Sequence, residues 1–277
     1  MKNKLELLGL VTVLWALSMT QAASAAQDWF QSTQPVLPVI SLRQLESAGK
    51  NFEPNDYRGE LRYVEVSASV VKLNAFGQQL KDLPVYLPDR WTNTEKVEML
   101  GEEQLYRLLF ADAGRPVLYI HGYNEGFDKS VKRALQLRQQ LELEGRLILL
   151  SWPSDGNFIN YTRDEADLYW SVPYIRRAIE SLAAEYGKGG FDLIAHSLGG
   201  RGLSLAIAQL YDTRPDLRPI AGQTILVAPD MDAQVFVDQQ HKITGNTTRL
   251  SLFSSGLDEP LAISAALHGY PRLGQSG

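Results

Sequence analysis

The chain contains no cysteine among its 277 residues. That absence excludes disulfides, thiolate metal sites and a lipid-attachment cysteine. Histidine is nearly as scarce. The four present, at positions 121, 196, 241 and 268, form no H-x-x-x-H pair, so ligand spacing is lacking and no metal or other cofactor is expected. Positive charge is in deficit, with 27 Lys and Arg against 32 Asp and Glu and a formal net charge of −5. With no basic patch carrying interleaved aromatics, nucleic acid is excluded as a partner, and Lys129 to Arg138 reads as the solvated face of a helix. A long apolar stretch is missing too: the N-terminal run from Leu7 to Met19 is shorter than the usual membrane span.

That run has the setting of a secretory signal. Lys2 and Lys4 precede it, small residues Ala22 to Ala26 follow, and Ala23-Ser24-Ala25 matches the small-x-small pattern of a cleavage site. Glu6 weakens the basic end, and an uncleaved anchor is the alternative. Removal of residues 1–25 takes away Lys2, Lys4 and Glu6, leaving 25 basic and 31 acidic residues. Export without disulfides suits a bacterial periplasm or the surrounding medium. The remaining chain of roughly 250 residues fits a single α/β domain. The expected organisation is a signal peptide at 1–25, an N-terminal arm at 26–60 and the main domain at 61–277.

Gln27 to Glu60 holds Pro35, Pro38, Pro54 and Gly59 with little periodicity, and reads as a covering arm rather than a core element. Val64, Val66, Ala68 and Val70 alternate with polar residues, as in a half-exposed strand, and Leu83 to Leu87 is a candidate to pair with it. A helix is expected near Gln104 to Phe110. Beyond it, apolar strands alternate with helices: Pro116 to Ile120, Arg146 to Leu150, Phe191 to Ala195, Thr224 to Val227 and Arg249 to Phe253. This rhythm predicts a mostly parallel sheet covered on both faces. In such a sheet ligands gather at the carboxyl ends of the strands, and each of the five strands ends in a polar cluster there. Gly187 to Gly190 reads as a turn between helix and strand, not a phosphate cradle.

Among those clusters, Asp192 to Gly200 places Ser197 between an apolar strand and a helix whose Leu203, Ile207 and Leu210 repeat at helical spacing. The residues two before and two after a serine on so sharp a turn must be small, and Ala195 and Gly199 comply; alanine replaces the usual glycine at the first position. A serine hydroxyl needs a base, an acid to orient that base, and donors for an oxyanion. The first donor is expected from the backbone N–H of Leu198 at the helix start. The second is expected from Tyr123, because Gly122 lets the backbone turn toward the serine.

For the acid, Asp258 after the fifth strand is favoured over Asp230 after the fourth; the competing role for Asp230, Asp232 and Asp258 alike is capping. For the base, only His268 follows Asp258, and an ordinary helix-terminal histidine is the competing reading. His121 reads as a loop-stabilising imidazole, His196 as a packing residue and His241 as solvent-facing. Tyr161, Tyr169, Trp170 and Tyr174 read as helix packing against the sheet, with an apolar substrate cleft as the alternative.

Taken in order, His121-Gly122-Tyr123-Asn124 with Phe127, Ser151-Trp152-Pro153-Ser154-Asp155-Gly156, Tyr161 with Asp164, Ala195 to Gly199, Ala228-Pro229-Asp230 and Leu267 to Gly274 resemble the signatures of a group of bacterial α/β-hydrolases of unknown function. The resemblance covers about Val117 to Gly274. It implies the α/β-hydrolase fold, a mostly parallel central sheet with helices on both faces, with Ser197 as nucleophile and chemistry of the ester-hydrolysis type. Members of that group continue past the Arg-Leu-Gly segment into a last strand and a Gly-His-Ser motif that looks like the source of the catalytic histidine. The sequence in hand stops before it, so a truncated sequence, a variant base and lost catalysis all stay open. The expectation is an exported serine hydrolase with Ser197, Asp258 and His268 catalytic, Tyr123 and Leu198 holding the oxyanion, a small-molecule ester as substrate and no membrane span after signal removal. The alternative is a hydrolase-fold binding or scaffold protein without turnover.

Overall fold

A computed structural model describes residues 30–33, 35–44, 58–73, 90–109, 114–143, 145–155, 160–254 and 259–275. The chain divides into two compact units, residues 1–35 with 68–93, and residues 36–67 with 94–277. In the smaller unit, β1 (Phe30–Thr33) runs antiparallel to Val70–Leu73, and the Ala68 N–H donates to the Pro35 carbonyl at 3.1 Å. The expected signal peptide, the Leu83 to Leu87 pairing segment and Asp258 lie outside the described residues.

The larger unit is built on β2 (Val36–Arg43), the part of β3 (Arg58–Leu73) up to Ser67, β5 (Val117–Ile120), β6 (Leu147–Ser151), β7 (Asp192–His196), β8 (Ala221–Val227) and β9 (Thr247–Phe253), and β4 (Arg90–Leu100) belongs to it from Thr94 onward. The order across the sheet is β3-β2-β6-β5-β7-β8-β9, antiparallel only between β3 and β2. Helices α1 (Glu102–Arg107), α2 (Phe127–Gln140), α3 (Tyr161–Tyr186), α4 (Leu198–Thr213), α5 (Ala233–Thr244) and α6 (Glu259–His268) complete the unit. Among the described residues, no helix is long and apolar enough to cross a membrane.

Uninterrupted apolar runs become interior strands because both faces are covered, and β5 and β6 are buried at every position. Strand β2 is buried from Leu37 onward and lies between β3 and β6, so part of the segment expected to be a covering arm is a core strand. Pro38 conceals it in the sequence. The parallel ladder to β6 starts at Val39, so the missing N–H of Pro38 breaks none of those rungs. Val64, Val66, Ala68 and Val70 are buried while Glu65, Ser67 and Ser69 are half-buried, as their alternation predicts. On the sheet, α3 presents Leu168, Val172, Ile175 and Ile179, and α4 presents Leu203, Ala206 and Ile207, all in one core. Each such side chain contributes about 2 kcal/mol on burial.

From β5 the chain passes to β6 on one side, then crosses back to β7 on the other side of β5. The carboxyl ends of β5 and β7, paired at Ile120 and Ala195, therefore flank the point where strand order reverses, where ligands enter open α/β sheets.

Candidate active site

Ser197 is the residue between β7 and α4, and it holds φ 51° and ψ −124°. A non-glycine residue in that region carries strain of about 1–3 kcal/mol. Its neighbours enforce the conformation. The Ser197 N–H donates to the Val227 carbonyl at 2.9 Å, and its own carbonyl accepts from Gly200 N–H at 2.9 Å and Asp230 N–H at 3.1 Å. Among the described residues, three of the four positive-φ non-glycine residues, Asn124, Ser197 and Ala228, stand beyond β5, β7 and β8, so the strain is gathered at the carboxyl ends of these strands.

Two glycines set how closely this edge is packed. A Cβ on Gly199 would meet the His121 carbonyl oxygen at 2.2 Å, and a Cβ on Gly122 would lie 3.1 Å from the Ser197 Cβ and 2.6 Å from the His196 Nδ1. The β5 loop thus lies directly against the serine and the start of α4. Ser197 itself is half-buried, while Leu198 is fully buried and opens the helix whose dipole favours negative charge. These placements bring Ser197, Leu198 and the Gly122-Tyr123 loop together.

The loop is held from below by a buried polar frame. Trp152 Nε1 donates to the His121 carbonyl at 2.8 Å and its ring stacks on the His121 imidazole at 5.2 Å. The His121 ring nitrogens face the Gly122 and Trp152 carbonyls at 2.8 and 3.1 Å. Burial, followed by the charge of Arg43, holds the His121 pKa well below the ordinary value, so a neutral ring donates to one of these carbonyls. The loop-stabilising role expected for His121 is what its contacts perform. Arg43, at the end of β2, donates to Ser151 Oγ at 2.9 Å, the Ser154 carbonyl at 2.9 Å and the Glu125 carbonyl at 2.7 Å. Burial lowers its pKa to about 10, against the opposing charges of Asp164 and Glu125, and it remains a cation at neutral pH.

Asp164, in the first turn of α3, accepts from Ser154 Oγ, from Asp155 N–H at 2.9 Å and from Asn124 N–H at 3.3 Å. It ties the loops after β5 and β6 to one helix. Burial pushes its carboxyl up to about 6 against the downward pull of those hydrogen bonds. Sequence reasoning missed Arg43 and Glu125, and left Asp164 and Ser154 without roles. Arg43 stood in a proline-containing stretch without helical or strand periodicity. The serine and aspartate of the Ser151 to Asp155 and Asp164 pattern did carry a signal, since buried polar residues of short reach require partners.

Asp230 lies at the centre of a second buried network. It accepts from Tyr161 Oη at 2.6 Å, Ser264 Oγ at 2.7 Å, Arg272 Nε at 2.7 Å and Arg201 Nη2 at 3.4 Å. Burial would raise its pKa, but the Tyr161 and Ser264 hydrogen bonds and the two guanidiniums hold it below the ordinary carboxylate value. The segment Pro271 to Gly274 zips antiparallel onto this loop, with Ala233 N–H on the Pro271 carbonyl at 3.1 Å, Leu273 N–H on the Met231 carbonyl at 2.8 Å and Gly274 N–H on the Pro229 carbonyl at 2.9 Å. Asp232 caps α5, accepting from Gln234 and Val235 N–H at 2.8 and 3.0 Å.

His268 ends α6 with Nδ1 2.8 Å from the Ser264 carbonyl and Nε2 3.2 Å from Glu165 Oε1. Among the described residues no hydrogen bond joins it to Ser197 or to Asp230, although Ser264 Oγ touches both Asp230 and His268. His241 is exposed on α5. A cleft of about 280 Å³ is lined by Tyr169, Arg201, Leu205, Met231, Val235 and His268, with further polar residues. Of the aromatic run, Tyr169 faces this cleft, whereas Trp170 and Tyr174 pack on each other at 4.9 Å and Tyr161 packs on Tyr123 and His268.

No curated protein matches this chain. Among solved structures, it is similar to a thermostable esterase from Pseudomonas putida ECU1011, at 12% identity and TM-score 0.29 over 74% of this chain; the match spans 45% of that esterase. It is also similar to a lipase/esterase from Lactobacillus plantarum, at 11% identity and TM-score 0.32 over 87% of both chains. Residues 100–276 match the family model described as alpha/beta hydrolase of unknown function (DUF900). The sheet order, the strand-to-helix elbow at its switch point and this match over more than half of the sequence agree, and the chain belongs to that alpha/beta hydrolase family.

Proposed function

We propose that the protein is a serine hydrolase that cleaves carboxylic esters through an acyl-enzyme on Ser197. The observation that carries this reading is the strained Ser197 backbone, φ 51° and ψ −124°, pressed against the Gly122 loop at the sheet's switch point. In the proposed step, Ser197 Oγ attacks the ester carbonyl carbon while its proton passes to a base. The carbonyl oxygen becomes an oxyanion facing the N–H groups of Leu198 and Tyr123. The C–O bond to the alcohol then breaks, the alcohol leaves with a proton, and water releases the acid from Ser197 by the same route.

His268 is the proposed base and Asp258 the proposed acid. To reach the serine, His268 must give up its contacts with Glu165 and the Ser264 carbonyl, which requires α6 to shift or the ring to swing. Cleavage of a series of aryl esters of increasing acyl length tests the reading. Turnover by the wild-type chain, abolished in Ser197→Ala and reduced at least about a hundredfold in His268→Gln, is expected; turnover that persists in Ser197→Ala refutes it.

The engaged state of His268, together with Asp230 enclosed by Arg201 and Arg272, favours one second reading: a hydrolase-fold binding protein that retains the pocket without turnover. Ligand-dependent stabilisation without ester cleavage, equal in wild type and Ser197→Ala, distinguishes it. We further propose that the protein is exported to the periplasm or medium with removal of residues 1–25. Mass spectrometry of the recovered protein is expected to give an N-terminus at Ala26, and an intact Met1 contradicts export with cleavage at that site.

A further inference from the structure

Glu125 is a carboxylate with almost no access to water, its side chain 2% exposed, at the end of the loop that faces the serine. Its backbone is fixed on both sides, the N–H donating to Ser154 Oγ at 3.1 Å and the carbonyl accepting from Arg43 at 2.7 Å. The side chain is therefore directed inward, where Oε1 lies 3.3 Å from Arg133 Nε and 3.9 Å from His196 Nδ1. Oε2 is buried and has no hydrogen-bond partner among the described residues. A buried carboxylate with one oxygen unsatisfied is costly, and such cost persists where geometry serves a purpose.

The imidazole of His196 lies against the same loop at Gly122. Its Nδ1 and Cε1 stand 2.6 and 3.2 Å from the place a Gly122 Cβ would occupy, and the Ser197 Cβ stands 3.1 Å from that place. The ring thus fills the space between Glu125 and the backbone that leads into Tyr123. We infer that Glu125 and His196 form a positioning pair: the carboxylate holds the imidazole flat against Gly122, and the imidazole fixes the distance of the Gly122-Tyr123 backbone from Ser197. Neither side chain touches substrate in this arrangement, and the pair acts through the oxyanion donor of Tyr123. This role rests on the serine-hydrolase reading, whereas the coupling between the two side chains does not.

The pair is sensitive to protonation because an ionised carboxylate attracts the imidazolium and a protonated one does not. Burial pushes the Glu125 carboxyl up to about 6, opposed by Arg133 and Lys129 of α2 and Arg43 of β2, while Tyr119 of β5 faces it as a neutral phenol. The carboxylate is accordingly ionised above that pH, and its pull on the ring lasts as long as the ring stays protonated.

Two measurements on the full chain test the pair. Imidazole NMR resolves the four histidines, and Glu125→Gln is expected to lower the His196 pKa by about half a unit or more while leaving His241 unmoved. An unchanged His196 titration in a folded Glu125→Gln overturns the pair. Should that variant fail to fold, the wild-type His196 curve is expected to show a second inflection from Glu125 near pH 6, and a simple one-proton curve overturns it equally. The second measurement is the rate of Ser197 modification by a fluorophosphonate as a function of pH. His196→Gln is expected to slow it about tenfold at an unchanged melting temperature and to erase the inflection near pH 6. A rate and pH profile equal to wild type overturn the positioning role. Complete absence of wild-type labelling refutes the hydrolase reading and with it that role, and the NMR titration then decides the coupling alone.

Discussion

At Gly199 and Asp230 the candidate site turns on a single atom or a single charge. A methyl group on Gly199 would sit 2.2 Å from the His121 carbonyl oxygen, a backbone atom that cannot rotate away. Gly199→Ala is therefore expected to cost about 3 kcal/mol, read as a lower urea midpoint at constant slope, with loss of Ser197 reactivity. Asp230 stands between two buried guanidiniums, Arg272 at 2.7 Å and Arg201 at 3.4 Å. Asp230→Asn keeps the shape and removes the charge that faces Arg272 and that shares Arg201 with Glu165. A loss of about 3–5 kcal/mol is expected, and a loss under about 1 kcal/mol would show that water already screens this network.

At the scale of elements, β2 joins the fold to the site. It is an interior strand whose last residue, Arg43, spans the loops after β5 and β6 through three hydrogen bonds. Arg43→Met retains the apolar stem and leaves Ser151 Oγ and two carbonyls without their donor. The expected cost is about 3–5 kcal/mol in urea unfolding, and Arg43→Lys is expected to recover only a minor part, since an ammonium cannot reproduce the planar fork. The parallel strands β5 to β8 were legible because short apolar runs bounded by Gly, Pro and Asp have few other structural solutions, whereas β9 shows only the alternation of Leu250 and Leu252 with polar residues. Strand β2 was not legible, because Pro38 and the lack of alternation make a strand buried on both faces look like a loop. The Ser197 turn was readable for a local reason: strand, serine and helix are contiguous. Partners distant in sequence, such as Arg43 with Ser154 or Tyr161 with Asp230, leave no local periodicity, and only the fold brings them together.

For the whole molecule, titration of these buried groups sets the dependence of stability on pH. Glu125 rises from 4.5 to about 6 and Asp164 from 3.8 to about 6, both chiefly through burial. The folded state therefore binds these protons more tightly than the unfolded chain. The stability they supply is fully present below pH 4 and is lost as pH climbs through about 6. Asp230, held below its ordinary value, acts with the opposite sign, stabilising above about pH 4 and failing on further acidification. Unfolding free energy is expected to fall between pH 5 and 7, and Glu125→Gln to reduce that fall by about 1 kcal/mol. A curve that rises over this interval, or the same slope in the variant, contradicts the assignment.

Ser197 lies at the switch point of the sheet, strained and packed against the Gly122 loop, and covalent labelling tests the proposed role of this serine most directly. Treatment of the full chain with a fluorophosphonate probe, followed by peptide mass analysis, is expected to place one adduct on Ser197, with none on the folded Ser197→Ala variant. Absence of labelling in the wild-type chain, or equal labelling of the two proteins, contradicts it.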